Sequence, residues 1–297
     1  MDNLRGALIM VLAMLGFAIE DMFIKLLADD LPVGQIIGML GLGGALTFAI
    51  VLRVQKVRLF TPEMISGPVI LRGIGELVGT MGFVTAIALT PISSASAILQ
   101  ATPLMVTLGA ALFLGEDVGW RRWSAILVGF CGVLLIIRPG MEGFDWLSLF
   151  ALQGVLGLAI RDLATRRVPR ETSSMQLSFL AFLVLIPTGA ILMLVVQTPA
   201  INPGPTNWVI LISAILFGVI SYYGIVAAMR TGEISFVTPF RYTRMIFALV
   251  VGIIVFDERP DALTLIGSAI IVGSGIYTVW RERKRSQAPL SKFANAR

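Results

Sequence analysis

Four long apolar stretches of this chain carry charge where it is least tolerated. Glu20, Asp21 and Lys25 fall in the first, Arg72 and Glu76 in the second, Arg161, Asp162 and Arg166 in the third, and Arg241 and Arg244 in the fourth. An ionised side chain among apolar neighbours needs a partner or a task. Asp21 and Lys25 are four residues apart and share a helix face, and Asp162 and Arg166 repeat that spacing. These read as two structural ion pairs. Arg72 and Glu76 are also four apart, in the weaker basic-before-acidic order. Glu76 therefore reads either as half of that pair or as a cavity carboxylate for an amine or a proton. Glu20 has no partner on its own helix, because Asp21 points about 100° away. Arg241 and Arg244 share a face, and Arg244 lies about 15 Å into its run, too deep to snorkel to the surface. A guanidinium at that depth can clamp a carboxylate or phosphate through two parallel hydrogen bonds. Pairing with Glu20 or Glu76 is the alternative. Gln100, with Thr102 behind it, and Tyr222, Tyr223 and Tyr242 could line the same site and stack on a planar substrate. Plain interhelical hydrogen bonding would serve them equally well. The candidate substrate-binding set is thus Glu20, Glu76, Gln100, Arg161, Tyr222, Tyr223, Arg241, Tyr242 and Arg244.

The elements that must hold these groups follow from composition. Hydrophobic residues make up 57% of the chain and charged residues only 14%, with a mean hydropathy of +0.89. A soluble domain carries about a quarter charged residues. A membrane-spanning helix needs roughly 20 apolar residues, and ten such runs are present: 5–27, 33–53, 67–89, 92–114, 121–138, 146–166, 174–196, 207–229, 234–255 and 262–281. Only Thr90-Pro91 separates the third from the fourth, which predicts a tight hairpin. No cleavable signal peptide is visible, so the first run is expected as a retained helix. All five tryptophans, Trp120, Trp123, Trp146, Trp208 and Trp280, fall at run ends, where indoles favour the membrane interface.

Basic residues cluster in alternate loops: Arg53, Lys56 and Arg58; Arg121 and Arg122; Arg166, Arg167 and Arg170; and the tail from Arg281 to Arg297. The positive-inside rule then puts both termini in the cytoplasm of a bacterial inner-membrane protein. Topology, with no nucleic-acid partner, accounts for the pI near 9.8; the basic loops are also compatible with anionic lipid.

The chain repeats itself. Gly16-Phe17-Ala18-Ile19-Glu20-Asp21 returns as Gly157-Leu158-Ala159-Ile160-Arg161-Asp162, 141 residues later. Ile92-Ser93 matches Ile234-Ser235, Gly82 matches Gly224, and Gly115-Glu116 matches Asp257-Glu258, each at an offset of 142. Five helices per half is an odd number, so the second half must enter from the opposite side. The expected fold is an all-α integral membrane protein of ten transmembrane helices in two inverted five-helix repeats, residues 1–140 and 141–285, followed by a tail over 286–297. Such inverted repeats place a binding site near mid-membrane between the halves. Glu20 and its repeat mate Arg161 are expected to meet near the axis, as an ion lock or part of that site.

Phe23-Ile24-Lys25 closing the first helix, Ala101-Thr102-Pro103-Leu104 through Phe113-Leu114-Gly115-Glu116 in the fourth, and Asp257-Glu258-Arg259-Pro260 with the Gly-rich last helix together resemble the EamA family of the drug/metabolite transporter superfamily. The resemblance covers nearly the whole chain. It departs at Leu15, where the family often has Trp, and at Met245, where the second repeat lacks a proline equivalent to Pro103. It implies a secondary transporter of small metabolites working by alternating access, with amino-acid export first. A carrier for an anionic metabolite, nucleotide conjugate, vitamin or S-adenosylmethionine is the alternative. No cofactor is expected. Substrate anions would meet Arg241 and Arg244, an amine or proton Glu20 or Glu76, and bends are expected at Gly79, Pro103 and Pro239. An intramembrane enzyme is disfavoured: the chain has no histidine, one cysteine (Cys131), no metal cluster and no Ser/Lys or paired-Asp motif.

Overall fold

Apolar length and proline set the elements. The computed structural model describes residues 2–115, 119–140, 144–169, 171–231 and 234–286. The first half contains α1 (Asp2–Ala28), α2 (Val33–Val54), α3 (Gly67–Leu89), α4 (Ile92–Leu99), α5 (Thr102–Phe113) and α6 (Trp120–Ile137). The second contains α7 (Ser148–Thr165), α8 (Ser174–Val196), α9 (Pro205–Thr231), α10 (Ile234–Val237), α11 (Thr243–Phe256) and α12 (Ala262–Ser286). Among the described residues nine helical stretches are long and apolar enough to cross a membrane, and a shorter one, Trp123–Ile137, lies in α6. The chain is an all-α membrane protein. Its fourth span is α4 plus α5. Its ninth is α10 plus α11, joined by a 3-10 turn over Thr238–Tyr242.

Helix ends follow local chemistry. Thr90 is extended, with φ −129° and ψ 169°, as a residue before proline prefers, and Pro91 then starts α4 in the tight hairpin. Ser173 and Gln176 form a reciprocal capping box at the start of α8. Of the basic residues used to orient the chain, Arg170, Lys292 and Arg297 lie outside the described residues.

Spans pair across the halves: α3 with α7, α1 with α9, α2 with α8 and α6 with α12. Their contacts run in opposite directions. Gly75 lies against Arg161, Gly79 against Gly157 and Gly82 against Gly154, so residue numbers rise on α3 as they fall on α7. Gly16 against Ser221 and Ala13 against Gly224 give the same sense for α1 and α9. By the repeat offset α1 corresponds to α7 and α3 to α9, so these two antiparallel seams are counterparts of each other, as a two-fold relation between inverted halves requires. Glycine lets the α3 and α7 backbones touch, the close approach that small residues permit between membrane helices.

The spans expected over 92–114 and 234–255 are not continuous. Pro103 has no N–H, so the Leu99 carbonyl loses its helical donor. The Thr102 hydroxyl donates to that carbonyl instead, at 2.7 Å. Its counterpart Thr243, 141 residues on, donates to the Phe240 carbonyl at 2.7 Å. The two breaks thus carry the same repair. Gly79, the third expected bend, lies inside an unbroken α3 and serves packing against α7.

Candidate functional site

Each break lies part-way through the membrane: Gln100 is about 12 Å from the start of α4, and Arg241 about 10 Å from the start of α10, at 1.5 Å per residue. The breaks meet. Gln100 Nε2 donates to the Arg241 carbonyl at 3.3 Å, across the two halves. The broken spans and the spans that pack against them carry four acids, Glu20, Asp21, Glu76 and Asp162, and four arginines, Arg72, Arg161, Arg241 and Arg244.

Most of these charges are paired, though not as their spacing suggests. Arg244 grips Asp21 through both nitrogens, Nη2 at 2.8 Å from each carboxylate oxygen and Nε at 3.1 Å from Oδ2. Asp21 is 2% exposed. Its guanidinium partner is sandwiched between the rings of Phe17 and Phe83, at 4.9 and 5.0 Å, a favourable place for a cation. The Asp21–Lys25 pair is therefore corrected: a forked guanidinium makes two charge-assisted bonds where an ammonium makes one. Lys25 instead donates to the carbonyls of Thr90 and Ile87, at 2.5 and 3.2 Å, and lies 3.8 Å from Glu258.

The Asp162–Arg166 pair is corrected likewise. Asp162 accepts from its neighbour Arg161 at 2.8 Å, while Arg166 is exposed at the end of α7. Arg161 also reaches Glu76 at 3.3 Å, so the expected Glu20–Arg161 lock does not form. Arg72 lies 3.7 Å from Glu76 and donates to the Tyr222 hydroxyl at 3.2 Å. Tyr222 in turn packs edge-on against Phe48 and Phe182. Tyr242 is buried, its hydroxyl without a partner among the described residues, and Tyr223 is 54% exposed on the outer face of α9, where it lines nothing.

Two charges remain. Among the described residues the Arg241 guanidinium makes no hydrogen bond or ion pair, and neither does the Glu20 carboxylate, which lies against Gly218 of α9. The polar centre so holds one guanidinium and one carboxyl group without a direct hydrogen-bond or ion-pair partner among the described residues, Arg241 within electrostatic reach of Asp162 and Glu20 of Arg244.

One functional-looking residue escaped the reading of charge spacing. Glu258 accepts from the Ile92 and Ser93 amides, at 2.6 and 3.1 Å, and from the Ser93 hydroxyl at 2.6 Å. It caps α4 and closes one face with Lys25. The signal was the repeat: Ile92-Ser93 and Glu258 each have a counterpart at the same offset. Glu116, the counterpart of Glu258, lies outside the described residues.

A profile of the EamA-like transporter family matches residues 4–138 and 145–280. A riboflavin transporter from Vibrio cholerae is 30% identical over 66% of this chain, and the match spans 65% of that protein's length. An S-adenosylmethionine uptake transporter from Rickettsia bellii is 26% identical over 72% of this chain and 73% of its own. A pseudopaline exporter from Pseudomonas aeruginosa is 28% identical over 90% of this chain and 93% of its own. A crystal structure superposes with a TM-score of 0.59 over 93% of this chain and 99% of that one, at 18% identity, a likeness of fold alone.

Proposed function

The chain belongs to the EamA-like transporter family, and on that premise we propose that it is a secondary transporter moving a small charged metabolite by alternating access. The observation that supports the reading is that, among the described residues, the Arg241 guanidinium beside the contact of the two broken spans and the Glu20 carboxyl on α1 have no direct hydrogen-bond or ion-pair partner. Arg241 binds a carboxylate or phosphate of the substrate, with the Gln100 amide beside it. Glu20 takes a cationic group on the same molecule. The halves then rock about the antiparallel seams so that the centre opens to one face at a time. The basic loops support a reading with both termini on the cytoplasmic face of an inner membrane.

Amino-acid export, which the resemblance put first, has no counterpart among the three named relatives. The wider class, metabolites bearing an acid and a cationic centre, includes amino acids and S-adenosylmethionine alike. Purified protein in proteoliposomes should take up at least one of radiolabelled S-adenosylmethionine, riboflavin or an amino-acid mixture. Arg241→Ala should reduce uptake of that compound by about 10- to 150-fold, the loss of a charge-assisted bond of about 1.5–3 kcal/mol. Unchanged uptake in that variant would remove the anion subsite.

A further inference from the structure

The seam between α6 and α12 is tight in the middle and open at one end. Gly132 lies against the Gly267 carbonyl, and a Cβ on Gly129 would meet the Ser274 hydroxyl. Glycine lets the two backbones touch there. Toward the start of α6 and the end of α12 the helices part around a cavity of about 260 Å³. Trp120 and Arg121 stand at its mouth, Ser124 and Tyr277 follow, and Val128 lies deepest on α6. From Arg121 to Val128 the crevice runs about 10 Å along the helix.

This crevice lies on the outside of the bundle. Gly275 of α12 faces inward, against the Tyr242 ring, whereas a Cβ on Gly273, four residues before Tyr277, would meet nothing. Trp120, Val128 and Tyr277 are exposed. The volume falls below the roughly 300–1,000 Å³ of sites that enclose a whole small molecule. The opening is aromatic and cationic. Arg121 lies over the Trp120 ring at 5.1 Å, and its guanidinium makes no ion pair among the described residues. By sequence Arg121, Arg122, Arg281, Arg283, Lys284 and Arg285 outnumber the acids Glu116, Asp117 and Glu282 at these two ends. Trp120, Trp123 and Trp280 mark the level as the membrane interface. A cation at the interface above an apolar crevice matches a molecule with an anionic head and an apolar chain. A second copy of this chain matches less well: a two-fold axis along the membrane normal would set two cationic ends side by side.

We propose that the α6–α12 crevice binds one anionic phospholipid, its phosphate on the Arg121 guanidinium and an acyl chain over Ala125 and Val128. The guanidinium fork suits a phosphate, and the chain covers apolar surface that the parted helices leave open.

The test is native mass spectrometry of the purified full-length protein with phosphatidylglycerol or phosphatidylethanolamine, joined to photocrosslinking by a phosphatidylglycerol with a diazirine in its acyl chain. One phosphatidylglycerol should stay bound under activation that strips phosphatidylethanolamine. Crosslinks should map to residues 124–128 and 273–277. Arg121→Gln should lower occupancy about tenfold, through loss of a charge-assisted bond. Arg53→Gln removes the same charge from another basic loop and should leave occupancy unchanged. Val128→Trp fills the crevice from an exposed position and should abolish the crosslink; unfolding temperatures in detergent establish that each variant is folded, and Arg121→Gln decides alone should Val128→Trp misfold. Equal retention of the two lipids, equal loss in Arg53→Gln or crosslinks elsewhere overturns the proposal. So does displacement by glycerol 3-phosphate at the lipid's own concentration, which would make this a free-phosphate site. A wild-type dimer that Val128→Trp disrupts while lipid occupancy holds would assign the face to a second copy and overturn it too. No arm of the test depends on the transported substrate.

Discussion

Arg244 spends its guanidinium on Asp21, 223 residues away in the chain, and that decides how its mutants should be interpreted. Arg244→Ala leaves a buried carboxylate with no counter-charge, a loss of about 3–5 kcal/mol. The expected result is a lower unfolding temperature in detergent as well as lost transport. Arg244→Lys keeps the charge but not the fork, and should fall between. Wild-type stability in Arg244→Ala would show that Asp21 needs no partner. Arg241 is the contrasting case: with no ion pair among the described residues to break, its truncation should lower transport while leaving the unfolding temperature close to wild type.

At the scale of elements, the seams and the caps carry the argument. A side chain at Gly157 would meet the backbone of Gly79, which no rotamer can relieve. Gly157→Leu should therefore cost about 1–3 kcal/mol or more by overpacking, measured by thermal unfolding. Gly218→Ala should be mild by comparison, because the new methyl meets only the carboxylate end of Glu20. Glu258→Gln weakens the cap on α4, where one carboxylate satisfies two amides and a hydroxyl. It should cost about 1 kcal/mol. The broken spans show why these ends matter: each break leaves carbonyls that must find donors, and Thr102 and Thr243 provide them.

Across the whole molecule, the α6–α12 pair is closed at one end by Arg138 and Asp261, an ion pair on the loop side of both helices. Asp261 also accepts from the Thr264 amide at 2.9 Å and so caps α12. The hydrogen bond from Arg138, then that cap, push its carboxyl down to about 2. The unfolded chain would titrate near 3.9. A depressed folded value means that the contribution is complete above about pH 4 and is lost as pH falls through about 2. Acid unfolding of Asp261→Asn should lack that step, and an identical acid profile in variant and wild type would show that the pair adds nothing to stability. The side chain is 48% exposed, so solvent screening keeps the effect small.

Several features were legible in one dimension. Ten apolar runs, the hairpin at Thr90-Pro91, the offset of 141–142 and the charge of the loops are local properties, and apolar length with odd repeat number leaves few folds to choose among. Gly75, Gly79 and Gly82 seat α3 on α7, but their spacing alone names no partner. The sequence alone could show that Asp21 and Lys25 share a face, but not how α1 turns against its neighbours. That rotation is fixed by glycine seams between distant spans, and it brings the Arg244 fork to Asp21, Arg161 to Glu76, and Gly218 to Glu20. In a medium where an unpaired charge is costly, the contact with the best geometry wins over the nearest in sequence, and only the tertiary packing decides which contact that is.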